Sequence, residues 1–217
     1  MQYASNFFGT ENPISEDGHW INGLANGLDW SDARKYASHA TGTIVNGVGG
    51  NLDDATACLK GAWSPNQYAQ ARVKTAGVFG TEVEIRLNTT ITAHSITGWE
   101  IDFGLATGNA GVQIVTWAGP LNVFEVLTSF VPLTINNGDI LAGGSLNGVV
   151  SAYQNGVRVL QYVFNQFDSA GHWTDGSPGI GFFNSAALGD YDNFGMTNFF
   201  ASDELDNVTE ISTLSLR

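Results

Sequence analysis

The chain has 217 residues with 27 glycines, five prolines, 12% aromatic residues, and eight basic against 21 acidic side chains. A formal charge of −13 opposes long-range attraction to phosphate backbones and anionic lipid, which argues against nucleic acid and membrane surfaces as partners. No segment reaches the roughly 20 apolar residues of a membrane span, the length suits one all-β unit, and the single Cys58 excludes an intrachain disulfide.

In chain order, the opening "MQYASNFFGT" carries neither the basic nor the apolar region of a secretory leader. An extracellular, cell-surface or virion location is therefore expected through a removed leader or another export route. "SDARKYASHA" (31–40) is the best helix candidate, but it is short and lacks a sustained 3.6-residue period, which predicts one helical turn or a loop. "ATACLKG" (55–61) alternates as a strand and makes Cys58 a small buried residue.

"TEVEIRLN" (81–88) sets Val83, Ile85 and Leu87 against Glu82, Glu84 and Arg86, the pattern of a strand wet on one face. "GWEIDFG" (98–104) repeats it after a polar connector, so the two are expected to pair antiparallel, with Trp99 beside Ile101 and Phe103 on the core face. "VQIVTWAG" and "NVFEVLTSF" continue the series. In "VVSAYQNGVRVLQYV", Asn155-Gly156 predicts a type I′ hairpin turn, because both central residues need positive φ. The glycine clusters "NGVGGN", "ATGNAG" and "GDILAGGSLNG" read as connections. None has the spacing of a phosphate loop. Residues 1–203 are read as one domain and 204–217 as an acidic, polar extension able to pack on a neighbouring subunit.

The order of landmarks then becomes informative: "NFFGTENPISEDGHW" leading to Trp20, paired hairpins, "YQNGVRVL", and "SPGIGFFNSAALGDYDNFGM". It resembles the concanavalin A-like lectin/glucanase superfamily, including laminin G-like modules. The resemblance covers nearly the whole chain and implies an all-β fold, an antiparallel β-sandwich of the jelly-roll type. Lectins, hydrolases, lyases and structural domains share that fold, so function has to be argued from the site.

Laminarinase-type glucanases of this superfamily carry a carboxylate comb, E-x-D-x-x-E or E-x-D-x-E, on a concave strand. Its chemistry needs a nucleophile and a proton donor about 5 Å apart. Glu100 and Asp102 match the first two teeth, while Gly104 and Leu105 stand where the third would be. Glu84 is the next carboxylate available to an enzyme, yet Arg86 shares its face and can pair with Glu84 or, across strands, with Glu100. A lyase would need a base and a cation, for which His94, Tyr153, Arg86 and Gln113 are parts without a motif. Sugar binding needs less. Trp117 and Trp173 offer aromatic faces for a pyranose ring, and Gln113, Arg86, Glu100 and Asp102 offer hydrogen bonds to hydroxyls.

The resemblance also implies a structural Ca²⁺, for which Asp192 with Glu11 or Asp17 would supply oxygen ligands. Asn51, Asp53 and Asp54 form a second oxygen-rich stretch, and no His or Cys cluster supports zinc. Asn88 and Asn207 head N-glycosylation sequons. The resulting expectation is a non-catalytic module that binds a carbohydrate polymer. The alternatives are an assembly protein forming homo-oligomer contacts, and a polysaccharide hydrolase or lyase using Glu100 and Asp102.

Overall fold

Period-two patterning becomes extended chain almost throughout. A computed structural model describes residues 1–43, 54–75, 80–106, 108–120, 122–164, 173–184 and 191–204. Its strands are β1 (Gln2–Ser5), β2 (Trp20–Asn22), β3 (Ser31–Tyr36), β4 (His39–Gly42), β5 (Asp54–Leu59), β6 (Gln67–Lys74), β7 (Thr81–Thr92) and β8 (Ser95–Gly104). The second half supplies β9 (Gly111–Gly119), β10 (Phe124–Val126), β11 (Val131–Pro132), β12 (Ile140–Leu146), β13 (Val149–Gln154), β14 (Val157–Val163), β15 (Ser177–Asn184) and β16 (Gly195–Ser202).

The strands form one curled sheet that folds over itself into two layers. The first layer runs β10-β9-β8-β7-β15-β5, with β2 beside β5 and β11 beside β9. The second runs β4-β16-β6-β12-β13-β14, with β1 beside β16. Strand β3 joins them, pairing parallel with β5 and antiparallel with β4. The fold is thus the antiparallel sandwich the sequence implied.

Between the layers lies the main core. Val83, Ile85, Leu87, Trp99, Ile101, Phe103 and Phe182 project from the first layer onto Ala69, Ala71, Val73, Leu141, Ala152 and Phe199 of the second. Large side chains meet small ones, which lets the sheets interdigitate at native packing density. Full burial of each large member stabilises the fold by about 1.5–3 kcal/mol. As expected, β7 and β8 pair antiparallel, with Ile85 opposite Ile101. The Asn155-Gly156 turn joins β13 to β14 with φ of 51° and 80° at its two residues.

Three local expectations are overturned. Residues 31–40 form the β3–β4 hairpin, not a helical turn or loop, and the hairpin turns through Ala37 and Ser38 at φ of 47° and 64°. The strand pattern was hidden because the polar Lys35 alternates inward with Ala33 and is buried, satisfied by Glu11 and Glu16. "GDILAGGSLNG" is not only a connection, since its centre is the buried strand β12. A Cβ at Gly143 would lie 2.5 Å from Ile101 Cδ1 and 3.1 Å from Ile85 Cγ2, so glycine here serves sheet-to-sheet contact, not a turn. Asn88 is fully buried, its backbone N–H held by Gln67 Oε1 and its amide by the Pro65 carbonyl, which leaves no room for a glycan. Asn51, Asp53, Asn207, the "NGVGGN" cluster and residues 205–217 lie outside the described residues.

Candidate functional site

Alternation that sends Val83, Ile85, Trp99 and Ile101 into the core sends Glu82, Glu84, Arg86, Glu100 and Asp102 to the opposite, outward face of the first layer. Register then assembles them into rows. Glu84 stands between Gly181 of β15 and Asp102 of β8, and Asp102 faces Gln113 of β9. Arg86 stands between Gly179 and Glu100, and Glu100 faces Val115. Glu82 stands between Phe183 and Gly104. No side chain is tolerated at 181, because a Cβ there would overlap Glu84 Oε2 and Arg86 Nε.

This face is not the wet surface that alternation predicts. Glu84, Arg86, Glu100 and Asp102 are 2%, 1%, 7% and 4% exposed, as buried as core residues. Glu84, Glu100 and Asp102 line a cleft of about 330 Å³ with Asp54, Glu82, Gln113, Asn122, Phe124, Val126, Phe183 and Trp117. Aromatic packing builds one wall. Trp30 meets Trp117 edge-on at 4.6 Å between ring centroids, and Phe124 lies 4.9 Å from Trp117. The Arg86 guanidinium sits 4.9 Å over the Trp30 ring, which holds it without hydrating it.

Arg86 Nη2 bridges Glu84 and Glu100, at 2.8 Å from Glu100 Oε2. Trp117 Nε1 donates to that same oxygen at 2.6 Å, and Gln113 Nε2 donates to Asp102 Oδ2 at 2.7 Å. Asp102 Oδ1 is buried and meets no N–H or hydroxyl donor. Five carboxyls, those of Asp54, Glu82, Glu84, Glu100 and Asp102, thus line a cleft beside one guanidinium, and they cannot all be ionised. Burial, reinforced by the charges of Asp102, Glu100 and Asp54, pushes Glu82 up to about 9. Burial and Glu100 push Asp102 up to about 7, against the pull of Gln113 and Arg86. Glu82 and Asp102 are hydrogen-bonded to each other, so a proton held between them supplies the donor that Asp102 otherwise lacks.

Of the residues singled out in the sequence, Glu84, Arg86, Glu100, Asp102, Gln113 and Trp117 converge here. Trp117 is within β9 and only 5% exposed, not a loop residue. Trp173 lies elsewhere. Its Nε1 donates to Thr116 Oγ1 at 2.9 Å, and Thr116 points to the opposite face of β9 from Trp117, so Trp173 packs against the inner core. The lyase parts are not brought together: His94 pairs with Asp29 at 2.9 Å on a turn, and Tyr153 stacks against Tyr68 in the other layer. Asp192 pairs with Arg34, and Glu11 pairs with Lys35 while accepting the Ser15 and Glu16 N–H groups. Among the described residues no three His, Cys, Asp or Glu are grouped to hold a metal ion. Sequence reasoning missed Trp30, Phe124 and Phe183 as site residues. Phe124 carried a signal in the alternation of "NVFEVL", whereas Trp30 is legible only once β3 is placed.

No protein-family profile and no curated protein matches the chain. Solved structures do. A carbohydrate-binding module, CBM66, from Bacillus subtilis superposes with a TM-score of 0.56 at 13% identity, covering 87% of this chain and 99% of that one. A prokaryotic β-1,3-1,4-glucanase (lichenase) from a mouse hindgut metagenome gives 0.57 at 16% identity, covering 94% and 99%. The fold is a concanavalin A-like jelly roll. An inactivated mutant of β-agarase B in complex with agaro-octaose shares this jelly roll, with a TM-score of 0.57 at 10% identity over 91% of this chain and 90% of that one. At such identities the likeness establishes the jelly roll alone. The chemistry of this chain has to come from its own cleft.

Proposed function

We propose that this protein binds a carbohydrate in the cleft on the outward face of β7, β8 and β9. The observation that carries the reading is the convergence of an aromatic wall, Trp117 and Phe124, with buried hydrogen-bonding groups in one cavity of about 330 Å³. A pyranose ring has an apolar C–H face that packs on an aromatic side chain and a rim of hydroxyls that pair with carboxylates and amides. The solved structures named above include a carbohydrate-binding module, a glucanase and an agarase in complex with an oligosaccharide, which supports the reading without supplying the ligand.

Charge narrows the ligand. With five carboxyls lining the cleft and Arg86 already engaged by two of them, a uronic acid or sulfated sugar would meet uncompensated repulsion. Neutral glycans are therefore favoured. Affinity electrophoresis and calorimetry against soluble neutral β-glucans, agarose oligosaccharides and alginate test this. Binding to a neutral polymer, weakened at least about tenfold in Trp117→Ala and absent for alginate, is the expected result. Loss of the reading would follow from equal affinity in Trp117→Ala, or from no binding to any neutral glycan at millimolar concentration.

A further inference from the structure

The two layers differ in charge. Strands β1, β4, β6, β12, β13, β14 and β16 of the second layer contain no Asp or Glu. Those of the first layer hold Asp54, Glu82, Glu84, Glu100, Asp102 and Glu125. Arg72, Lys74 and Arg158 are the Lys and Arg residues of the acid-free sheet. Because Ala69, Ala71 and Val73 of β6 turn inward, Gln70 and Arg72 turn to the outer face. There, where β1, β6, β12 and β16 meet, lies a cavity of about 460 Å³ lined by no carboxyl. Glu204, which accepts from Gln2 Nε2 at 3.2 Å, is not part of the lining.

A β-bulge shapes this cavity. The register of β16 on β6 shifts between Thr197 and Phe200, and Asn198 takes φ of 51°. An extra residue of this kind bends its strand and re-aims the side chains around it. Gln70 stands between Phe200 and the small Ala142 and is only 7% exposed. Tyr68 Oη donates to Gln70 Oε1 at 2.8 Å, which orients the amide and leaves Nε2 as a donor without a partner among the described residues. Arg72 is exposed and forms no ion pair among the described residues, while its Nη1 donates to the Gly138 carbonyl. Asn6 and Asn198 add exposed amides, and Phe200 and Ile140 add apolar surface.

We propose that this cavity binds the tetrahedral oxyanion of a sulfate or phosphate ester carried on a sugar. It lies on the face opposite the acidic cleft and does not rest on the reading given to that cleft. A guanidinium without a carboxylate partner favours an anion over a neutral ligand. The carboxyls of the first layer's cleft point away across two sheets packed about 10 Å apart. That exceeds the screening length of about 8 Å at physiological ionic strength, so they weaken the attraction little. With Nη1 committed to Gly138, end-on pairing of both terminal nitrogens with a planar carboxylate is lost. An ester's three terminal oxygens instead take single hydrogen bonds from donors on separate strands, Gln70 and Arg72 on β6 and Asn198 on β16. The sugar ring then packs its apolar face on Phe200 and Ile140.

The test is calorimetry with glucose esterified at its primary hydroxyl by sulfate or by phosphate, against glucose, glucuronate and inorganic sulfate. At least one ester is expected to bind wild type at least about tenfold more tightly than the three controls, and less tightly as salt is raised. Arg72→Gln should weaken that ester at least about tenfold at an unchanged melting temperature. Gln70→Glu keeps an acceptor for the Tyr68 hydroxyl but replaces the donor by a charge, and should abolish binding. Trp117→Ala, in the other cleft, should leave the ester's affinity unchanged. Esters that bind no better than glucose, glucuronate or inorganic sulfate overturn the proposal, as does equal affinity in Arg72→Gln. Loss of ester binding in Trp117→Ala also overturns it, by moving the ligand to the acidic cleft. None of these results alters the test of neutral glycans at that cleft.

Discussion

The two faces of the β7–β8 ladder are nearly equal in burial and opposite in chemistry. Inward, Val83, Ile85, Leu87, Trp99, Ile101 and Phe103 are at most 1% exposed and belong to the main apolar core. Outward, Glu84, Arg86, Glu100 and Asp102 are at most 7% exposed and meet one another. Removing the inner set from water stabilises the fold. Removing the outer set is costly, because the desolvation of ions is recovered only through good pairing. One ladder therefore carries both the main support of the domain and its most expensive feature.

The comparison can be broken first on its inner side. Trp99→Ala is expected to lower the unfolding free energy by about 3–5 kcal/mol, read as a shift of the urea midpoint at unchanged slope. A loss below about 1 kcal/mol would mean that the inner face is not the main support. On the outer side, Arg86→Met should cost about 3–5 kcal/mol at pH 7 by leaving Glu84 and Glu100 without their cation. The same variant should approach wild type as pH falls and Glu84, which burial holds well above the ordinary carboxylate range, takes up a proton; a cost independent of pH would point to lost packing on Trp30 instead.

A smaller effect sharpens the contrast. Folded Glu82 and Asp102 hold protons that ordinary unfolded carboxyls release near pH 4 to 4.5, so their contribution to stability is full below that range. It is lost as pH rises through about 7 and about 9. The slope approaches about 1.4 kcal/mol per pH unit for each proton the folded state holds in excess. Thermal unfolding followed from pH 5 to 9 should show the melting temperature falling, less steeply in Glu82→Gln, whose amide donates to Asp102 at any pH. Identical slopes in the two proteins would show that no proton is held at that pair.

Much of the fold was legible because it rests on short-range rules. Period two placed β7, β8 and β9, and Asn155-Gly156 marked a hairpin that local sterics require. Reading failed where long-range contacts override local preference: Lys35 alternating inward onto Glu11 and Glu16, and Gly143 admitting Ile85 and Ile101 from the facing sheet. The site divides in the same way. Glu84, Arg86, Glu100 and Asp102 could be found because each repeats within its own strand. Their burial could not, since it depends on Trp30 arriving from the bend before β3 and Phe124 from β10. The facing of Glu82 and Gly104 depends on register across two strands, which no single segment encodes.

The β3–β4 hairpin also governs how the molecule can open. Because β3 is hydrogen-bonded to β5 in one layer and to β4 in the other, the layers share a continuous backbone seam along that side. At the opposite side the strand order ends in β10 of one layer and β14 of the other, and among the described residues no ladder joins them. The sandwich is therefore hinged like a book, with its spine at β3 and its free margin at β10 and β14. Amide hydrogen exchange should be slowest along the spine and fastest at that margin. Phe124 and Val126 sit there, on the free edge and on the rim of the acidic cleft at once. Breathing of the margin would then move the rim of the cleft without disturbing the spine.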